Sequence, residues 1–251
     1  MPKVYTIGIR QVPKIRCDRV LNIGITVDRR APERRPFQLK TVTRTLQKVL
    51  KHVVIIYQDD FYKPDDQIPV DPTTQLANWD CPEALDFDRL RQTIQYTRQN
   101  HGRLPPEYSS TEVRNTHDGS SSVSDATLQG LRAMFHARHD DIFVLVDGFI
   151  LYHDPSVAAE FDSKLFFIAS YATLKQRRES RKGYTTADGY WVDPPEYFDK
   201  IVWPECVRWN KRFLDNTQTD HDALVIDTDK HTIVQAVEAT AQKVLDSLAE
   251  P

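Results

Sequence analysis

Two adjacent carboxylates, Asp59 and Asp60, directly follow a β-branched apolar run over residues 53–57, and Phe61 and Tyr62 come next. Such a run is typical of a buried parallel strand, and open α/β sheets bind ligands at the carboxyl ends of their strands. A carboxylate there can accept a hydroxyl proton or help to hold Mg²⁺, while the two aromatic rings offer a flat surface to a planar group. An ordinary acidic loop has the same composition, so the remaining motifs must decide.

Another carboxylate, Asp147, ends the apolar run 142–146 and precedes Gly148. An acid at this position could lie near the metal and the attacking hydroxyl of a phosphoryl-transfer site. The alternative is a plain Asp-Gly turn after a strand.

Five cations are concentrated in the segment 175–182. On a helix, Arg177 and Arg181 would be four residues apart, as would Arg178 and Lys182, so several cations could converge on one polyphosphate. A solvated helix face is the alternative. The position of the segment after the predicted fourth strand, where a lid would lie, favours phosphate binding.

The segment 78–87 predicts the start of a helix, with Pro82 at the first position and Asp80 near the cap. Capping is one role for Asp80. The other is to bind sugar hydroxyls while Trp79 covers a ring.

The elements that must position these residues alternate as β-α-β-α-β, which predicts a doubly wound parallel sheet with helices on both faces. The first strand is either 4–9 or 20–25, and later strands are predicted at 53–57, 142–146, 164–168 and 223–226. Helices are predicted at 41–51, 128–139 and 232–249. The stretch 101–127 is polar and lacks a sustained period, so it is predicted to be a mobile surface insertion without chemistry.

Composition sets the broad class. The chain has 251 residues and a formal net charge of −3, which gives no general attraction to nucleic acid or membrane. No apolar stretch approaches the ~20 residues that span a bilayer, and the N-terminus lacks a signal-peptide core, so an intracellular protein is expected. Cys17, Cys81 and Cys206 are widely spaced and are expected to be reduced thiols.

Five strings resemble the nicotinamide riboside kinases, especially the fungal ones, which are P-loop nucleoside kinases related to uridine kinase. The strings are residues 58–64, 78–87, 146–149, 177–184 and 191–199, and the resemblance runs from about Thr41 to the C-terminus. It implies a three-layer αβα P-loop NTPase fold, the use of ATP and Mg²⁺, and phosphorylation of the riboside 5′-hydroxyl to give nicotinamide mononucleotide in NAD salvage. The expected partners are a small nucleoside and ATP, without a membrane, and the expected compartment is the cytoplasm, with the nucleus as an alternative.

The same resemblance implies residue roles by position. Asp59, as proton acceptor, and Lys40 would be catalytic. The riboside pocket would be lined by Asp59, Asp60, Phe61, Tyr62, Trp79, Asp80 and Arg178. ATP would be held by Lys40, Thr41, Arg177, Arg181, Lys182, Gly183, Asp229 and Lys230, and the metal by Thr41, Asp59 and Asp147. The chain would form one domain, in which residues 175–200 are the lid and substrate-side region.

The chain departs from the family in its phosphate-binding loop. The family's G-x-x-x-x-G-K-[ST] motif needs glycines so that backbone N–H groups can wrap the phosphates. Here Leu39 stands where the last glycine should precede Lys40-Thr41, and Gly24 is the only glycine in the interval 10–39.

That interval carries eight basic residues and three prolines, and it is predicted to be an aberrant basic segment in place of the P-loop. A contact of this segment with nucleic acid or an acidic partner is a minor alternative. We hypothesise that the interval is mistranslated or mis-spliced. Sequencing the transcript across codons 7–41 tests this, because a message that encodes the interval as printed contradicts it.

Two other functions remain open at this point. The chain could phosphorylate uridine or another nucleoside, or it could be a catalytically impaired kinase fold that binds a nucleoside. A competition assay between ribosides would show whether uridine or another nucleoside is the substrate. Riboside binding without ATP binding would indicate the impaired kinase fold.

Overall fold

The computed structural model describes residues 2–13, 39–110, 123–180, 183–185, 190–214 and 223–249. The strands are β1 (Val4–Pro13), β2 (His52–Tyr57), β3 (Ile142–Gly148), β4 (Ser163–Ala169), β5 (Tyr184–Thr185), β6 (Tyr190–Trp191) and β7 (Leu224–Asp227). The helices are α1 (Leu39–Val49), α2 (Phe87–Gln99), α3 (Asp125–Met134), α4 (Pro155–Ala158), α5 (Tyr171–Glu179), α6 (Trp203–Leu214) and α7 (Ile233–Ala249).

A five-stranded sheet in the order β2-β3-β1-β4-β7 forms the middle of the fold, and all of its neighbouring strands are parallel. This confirms the predicted doubly wound sheet and, to within one or two residues, its later strands. The first strand is the 4–9 candidate, and the 20–25 candidate lies outside the described residues. The short strands β5 and β6 form a separate antiparallel pair.

Each face of the sheet packs against its own hydrophobic cluster, which gives three layers. Consecutive strand residues point to opposite faces, so both faces being covered explains the unbroken apolar runs in the sequence. Ile7, Leu145 and Phe167 belong to the cluster that includes residues of α1, α3 and α7. Val144, Val146 and Phe166 belong to the cluster that includes residues of α2 and α4.

A helix does begin within 78–87, but the predicted first position at Pro82 and the cap near Asp80 are wrong. Pro82–Ala84 form only a 3₁₀ turn, and Leu85 returns to extended backbone, where it bridges to Tyr62. Helix α2 begins at Phe87, and its cap is Asp86, whose side chain accepts a hydrogen bond from the Arg89 N–H. The bridge to Tyr62 interrupts the helix, which leaves Asp80 outside any cap.

Two other helices and one loop also differ from the sequence predictions. Helix α3 begins at Asp125 rather than 128, because the Ser124 side chain caps it, and it ends at Met134 before a 3₁₀ turn. Helix α5 ends at Glu179, so the cationic helix predicted over 175–182 is shorter, and Arg181 and Lys182 lie outside the described residues. Residues 101–110 are also not purely surface, because Pro105 is buried and Leu104 and Tyr108 pack against the core.

The predicted basic segment 10–39 begins inside the sheet. Arg10, the first residue of the predicted aberrant basic segment, is fully buried in β1. Its Nε donates to the Phe149 carbonyl at 3.1 Å, and its guanidinium lies 5.5 and 5.4 Å from the ring centroids of Tyr152 and Phe166. Pairing of β1 with β4 continues to Pro13 opposite Ala169, and residues 14–38 lie outside the described part of the chain.

Two further predictions concern thiols and membranes. Cys81 and Cys206 are free thiols as predicted, and Cys17 lies outside the described residues. Among the helices that the structure describes, none combines the length and apolar character that crossing a bilayer requires.

Candidate active site

The carboxylates singled out in the sequence lie at one edge of the sheet. Strands β2 and β3 are parallel neighbours, and Tyr57 at the end of β2 lies opposite Asp147 near the end of β3. Asp59 follows two residues after Tyr57, in the 3₁₀ turn Gln58–Phe61. Asp59 is exposed, whereas Asp147 is 7% exposed, so this edge offers one accessible and one sheltered carboxylate.

Helix α1 brings a threonine hydroxyl to Asp147. The Thr43 Oγ1 donates to Asp147 Oδ2 at 2.8 Å, and Thr43 is 1% exposed. The resemblance implied Thr41 for the metal site; Thr41 is also buried, and its carbonyl accepts the Thr45 hydroxyl at 2.7 Å. Sequence reasoning missed Thr43, because alternate positions in this stretch are threonines and only the orientation of α1 distinguishes them. The side chain of Lys40 lies outside the described residues.

Gln58 ties the Asp59 turn to the loop after β3. Its buried side-chain Oε1 accepts the backbone N–H groups of Phe149 and Ile150 at 3.0 and 3.1 Å. The sequence offered no signal for this role beyond the adjacency of Gln58 to Asp59. The contact holds the ends of β2 and β3 in a fixed relation, so the two candidate acids are carried on connected loops.

Arg178 is placed between two carboxylates on the substrate side. Its Nε and Nη2 donate to Asp193 Oδ2 and Oδ1 at 2.6 and 3.1 Å, and its Nη1 lies 3.5 Å from Asp80 Oδ1. The Trp191 Nε1 also donates to Asp193 Oδ1, at 2.9 Å. A bidentate pair fixes the plane of the guanidinium, so Asp193 orients Arg178 toward Asp80. Sequence reasoning placed Asp193 in a family string but gave it no role.

The electrostatics of Asp80 are those of a sheltered acid among other acids. Burial raises the pKa of Asp80 above its ordinary value of 3.8, and Arg178 opposes that shift. The negative charges of Asp193, Asp59 and Glu205 raise the pKa further. These interactions show that Asp80 belongs to the same electrostatic neighbourhood as Asp59.

An aromatic cluster covers this acidic group. Trp79 meets Tyr62 edge-on at 5.3 Å between ring centroids and Trp191 at 5.7 Å, and Tyr62 is stacked with Phe149 at 6.1 Å. Tyr197 holds the Trp79 backbone, because its hydroxyl accepts the Trp79 N–H at 3.2 Å. The Trp79 Nε1 is buried, and the described residues supply no hydrogen-bond partner for it. Trp191, Phe149 and Tyr197 were not among the predicted site residues.

The predicted ATP-side residues meet at the loop after β7. Arg177 Nη1 donates to the Thr228 hydroxyl at 3.2 Å, and Asp229 Oδ2 accepts the Ser170 N–H at 2.7 Å. Burial lowers the pKa of Arg177, and the Asp229 charge opposes this shift. Lys230 is exposed and lies 3.6 Å from Asp227 Oδ2.

Gly183 was also predicted to contact ATP, and the structure describes it. It has φ +115°, a backbone conformation that glycine adopts without a Cβ penalty.

A comparison with curated proteins finds nicotinamide riboside kinases that are similar to this chain. The chain is 40% identical over 214 residues to the nicotinamide riboside kinase of Eremothecium gossypii, covering 83% of this chain and 87% of that protein. It is 34% identical over 165 residues to that of Saccharomyces cerevisiae, covering 65% and 68% of the two chains. It is 33% identical over 176 residues to the nicotinamide riboside kinase of Schizosaccharomyces pombe, covering 70% of this chain and 75% of that protein. No family model matches the chain.

Proposed function

Because this chain belongs to the nicotinamide riboside kinases, we propose that it transfers the γ-phosphoryl group of ATP to the 5′-hydroxyl of nicotinamide riboside and so forms nicotinamide mononucleotide for NAD salvage. The observation that carries the proposal is the placement of Asp59 and Asp147 at the ends of neighbouring strands. The whole chain is proposed to act as one kinase domain, with residues 175–200 as its lid and substrate side.

Asp59 is the proposed proton acceptor. It is the exposed carboxylate at the sheet edge, and its charge acts on Asp80, which we assign to the ribose hydroxyls. With its ring hydroxyls held by Asp80, the ribose would present its 5′-hydroxyl to Asp59. Asp59 would take the proton of that hydroxyl as its oxygen attacks the γ-phosphorus of ATP.

The residues at this edge fit Mg²⁺. Mg²⁺ prefers hard oxygen ligands, and the Asp147 carboxylate and Thr43 hydroxyl form a buried oxygen pair close to the Asp59 turn. We propose that Asp147, Asp59 and Thr43 hold the ion, with Thr43 taking the role first expected of Thr41. When bound, Mg²⁺ would neutralise charge on the ATP phosphates.

The cations of the chain are proposed to hold ATP. Lys40, Arg181 and Lys182 would contact the phosphates, since positioned cations offset charge that develops during transfer, and the neutral Thr41 and Gly183 would also line the ATP site. Arg177 joins α5 to the loop that carries Asp229 and Lys230, which supports placing that loop near the adenine.

The riboside side favours a cationic ring over a neutral one. The pKa of Asp80 is affected by the negative charges of Asp193, Asp59 and Glu205 and by the positive charge of Arg178, so acids outnumber the cation among these groups. Nicotinamide riboside carries a positively charged pyridinium, which aromatic faces such as Trp79 also attract, whereas the uracil ring of uridine is neutral. Competition between the two ribosides tests this choice, and equal use of both would contradict it.

The proposed function is tested by riboside-dependent ADP formation. The purified chain is incubated with Mg²⁺, ATP and nicotinamide riboside, and both ADP and nicotinamide mononucleotide are measured. Formation of both products in equal amounts supports the kinase. Their absence in a folded chain contradicts it for the printed sequence.

A second candidate function is riboside binding without phosphoryl transfer. The observation that favours it is the missing glycine loop together with the extension of β1 to Pro13, three residues beyond its last pair with β3, Arg10 opposite Gly148. Calorimetry with each ligand separates the candidates, because this one requires riboside binding without ATP binding.

The raised pKa of Asp80 predicts a pH dependence of riboside affinity. If Asp80 binds ribose hydroxyls as a carboxylate, affinity is full above its folded-state pKa and is lost as the pH falls through that value. Because burial raises the pKa above 3.8, the loss begins at a higher pH than for an ordinary aspartate. Calorimetric titration from about pH 8 to pH 4 measures it. Asp80→Asn should bind weakly with little pH dependence, and a pH-independent wild type would contradict the assignment.

A further inference from the structure

We propose that Tyr108 is a positioning residue for phosphoryl transfer: it fixes Asp60 and thereby the turn that presents Asp59. The proposal rests on the proposed kinase function, and it gives a role to a residue in the stretch 101–127, for which the sequence predicted none. Asp60 itself was expected to line the riboside pocket, and its contact with Tyr108 supports a role in holding the turn.

Tyr108 contacts the residues on both sides of Asp59. Its hydroxyl donates to Asp60 Oδ2 at 2.7 Å and accepts the Tyr57 N–H at 3.2 Å. Its ring lies nearly parallel to that of Phe61, with centroids 6.0 Å apart and an interplanar angle of 27°. One side chain therefore links the end of β2 to the last two residues of the turn, with Asp59 between the points of attachment.

The turn depends on tertiary contacts because it is short. It is a four-residue 3₁₀ segment, and its N-terminal cap, Tyr57, makes no side-chain cap bond. Short 3₁₀ segments have poor hydrogen-bond geometry, so tertiary contacts must define the direction of an exposed side chain on them. Besides Tyr108 and the bonds of Gln58, Arg89 supplies a contact, with its guanidinium 5.0 Å from the Phe61 ring centroid and a bond to the Asp60 carbonyl.

Tyr108 is itself held in place by the chain before it. Its backbone N–H donates to the Pro105 carbonyl at 3.0 Å, Pro105 is buried, and Leu104 packs against the core cluster that contains Phe61. Burial and the charge of Asp60 raise the pKa of the Tyr108 hydroxyl, so it remains a protonated donor at assay pH. The start of the polar insertion is thus packed against the core, and its Tyr108 contacts the active-site turn.

Tyr108→Phe tests the proposal, because it keeps the ring and removes the hydroxyl. We expect kcat for riboside phosphorylation to fall about tenfold, as for loss of a hydrogen bond to a charged group, with the KM for ATP unchanged. The effects of Tyr108→Phe and Asp60→Asn should be less than additive. Tyr96→Phe, at an exposed tyrosine on α2, is the matched control and should keep wild-type kcat.

Hydrogen exchange gives a readout that does not depend on activity. In Tyr108→Phe, amide exchange should accelerate in the Gln58–Phe61 turn and stay unchanged in β3 and α7. A wild-type kcat, or unchanged exchange in the turn, overturns the proposal. An inactive wild type contradicts the proposed function alone, and the exchange measurement then still decides the role of Tyr108.

Discussion

Asp59→Asn is expected to lower kcat for phosphorylation of nicotinamide riboside by about 10²–10⁴-fold, the usual range for loss of a general base. Asparagine has nearly the same shape but cannot take the hydroxyl proton. Asp59 is the exposed acid at the strand edge, so the substitution removes a charge that is in contact with solvent. Steady-state kinetics at saturating ATP and riboside measure the change, and riboside affinity should fall much less than kcat.

The matched control for Asp59→Asn is Asp66→Asn. Asp66 is also exposed and also lies in a 3₁₀ turn, seven residues further along the chain, so it reports the effect of removing a nearby negative charge. Wild-type kcat is expected for this control. Retained turnover in Asp59→Asn would remove Asp59 from the role of base, and an equal loss in both variants would point to the general field of the acidic edge instead.

Restoring a glycine loop is expected to raise the activity of the printed chain by about 10²-fold or more. In this variant a G-x-x-x-x-G sequence joins Ile9 to Lys40-Thr41 in place of the residues between. A side chain where a glycine conformation or a close phosphate contact is needed costs about 1–3 kcal/mol, and the family motif has two such glycines. Two positions therefore account for about 2–6 kcal/mol, and each 1.4 kcal/mol is a factor of ten.

The control for the loop is the same graft with alanine at both glycine positions. It keeps the shortened connection and removes only the backbone freedom, so its activity should stay near that of the printed chain. ATP affinity by calorimetry and kcat/KM for ATP measure both variants. Equal activity of the printed chain and the glycine graft would show that the printed interval already holds the phosphates. A gain in the glycine graft alone would support the hypothesis that the interval 10–39 is faulty.

The local sequence by itself determined the elements and the family. The apolar runs that form β2, β3 and β4 can be read from the sequence because a strand covered on both faces excludes polar residues from most of its positions. Helix α7 followed from its apolar period, which requires only local geometry. The family strings identified the kinase for the same reason, since each string is short and contiguous.

Only the tertiary structure decided which of these residues act on one another. Thr43 donates a hydrogen bond to Asp147, 104 positions away, and Tyr108 donates to Asp60 across 48 positions. The helix predicted to start at Pro82 starts instead at Phe87, after Leu85 bridges to Tyr62. Arg10, which was assigned to the predicted basic segment, lies in the sheet because β1 pairs with β4. Local patterns record which face of an element is buried. They do not record the partner across the core, because that partner is set by the packing of distant segments.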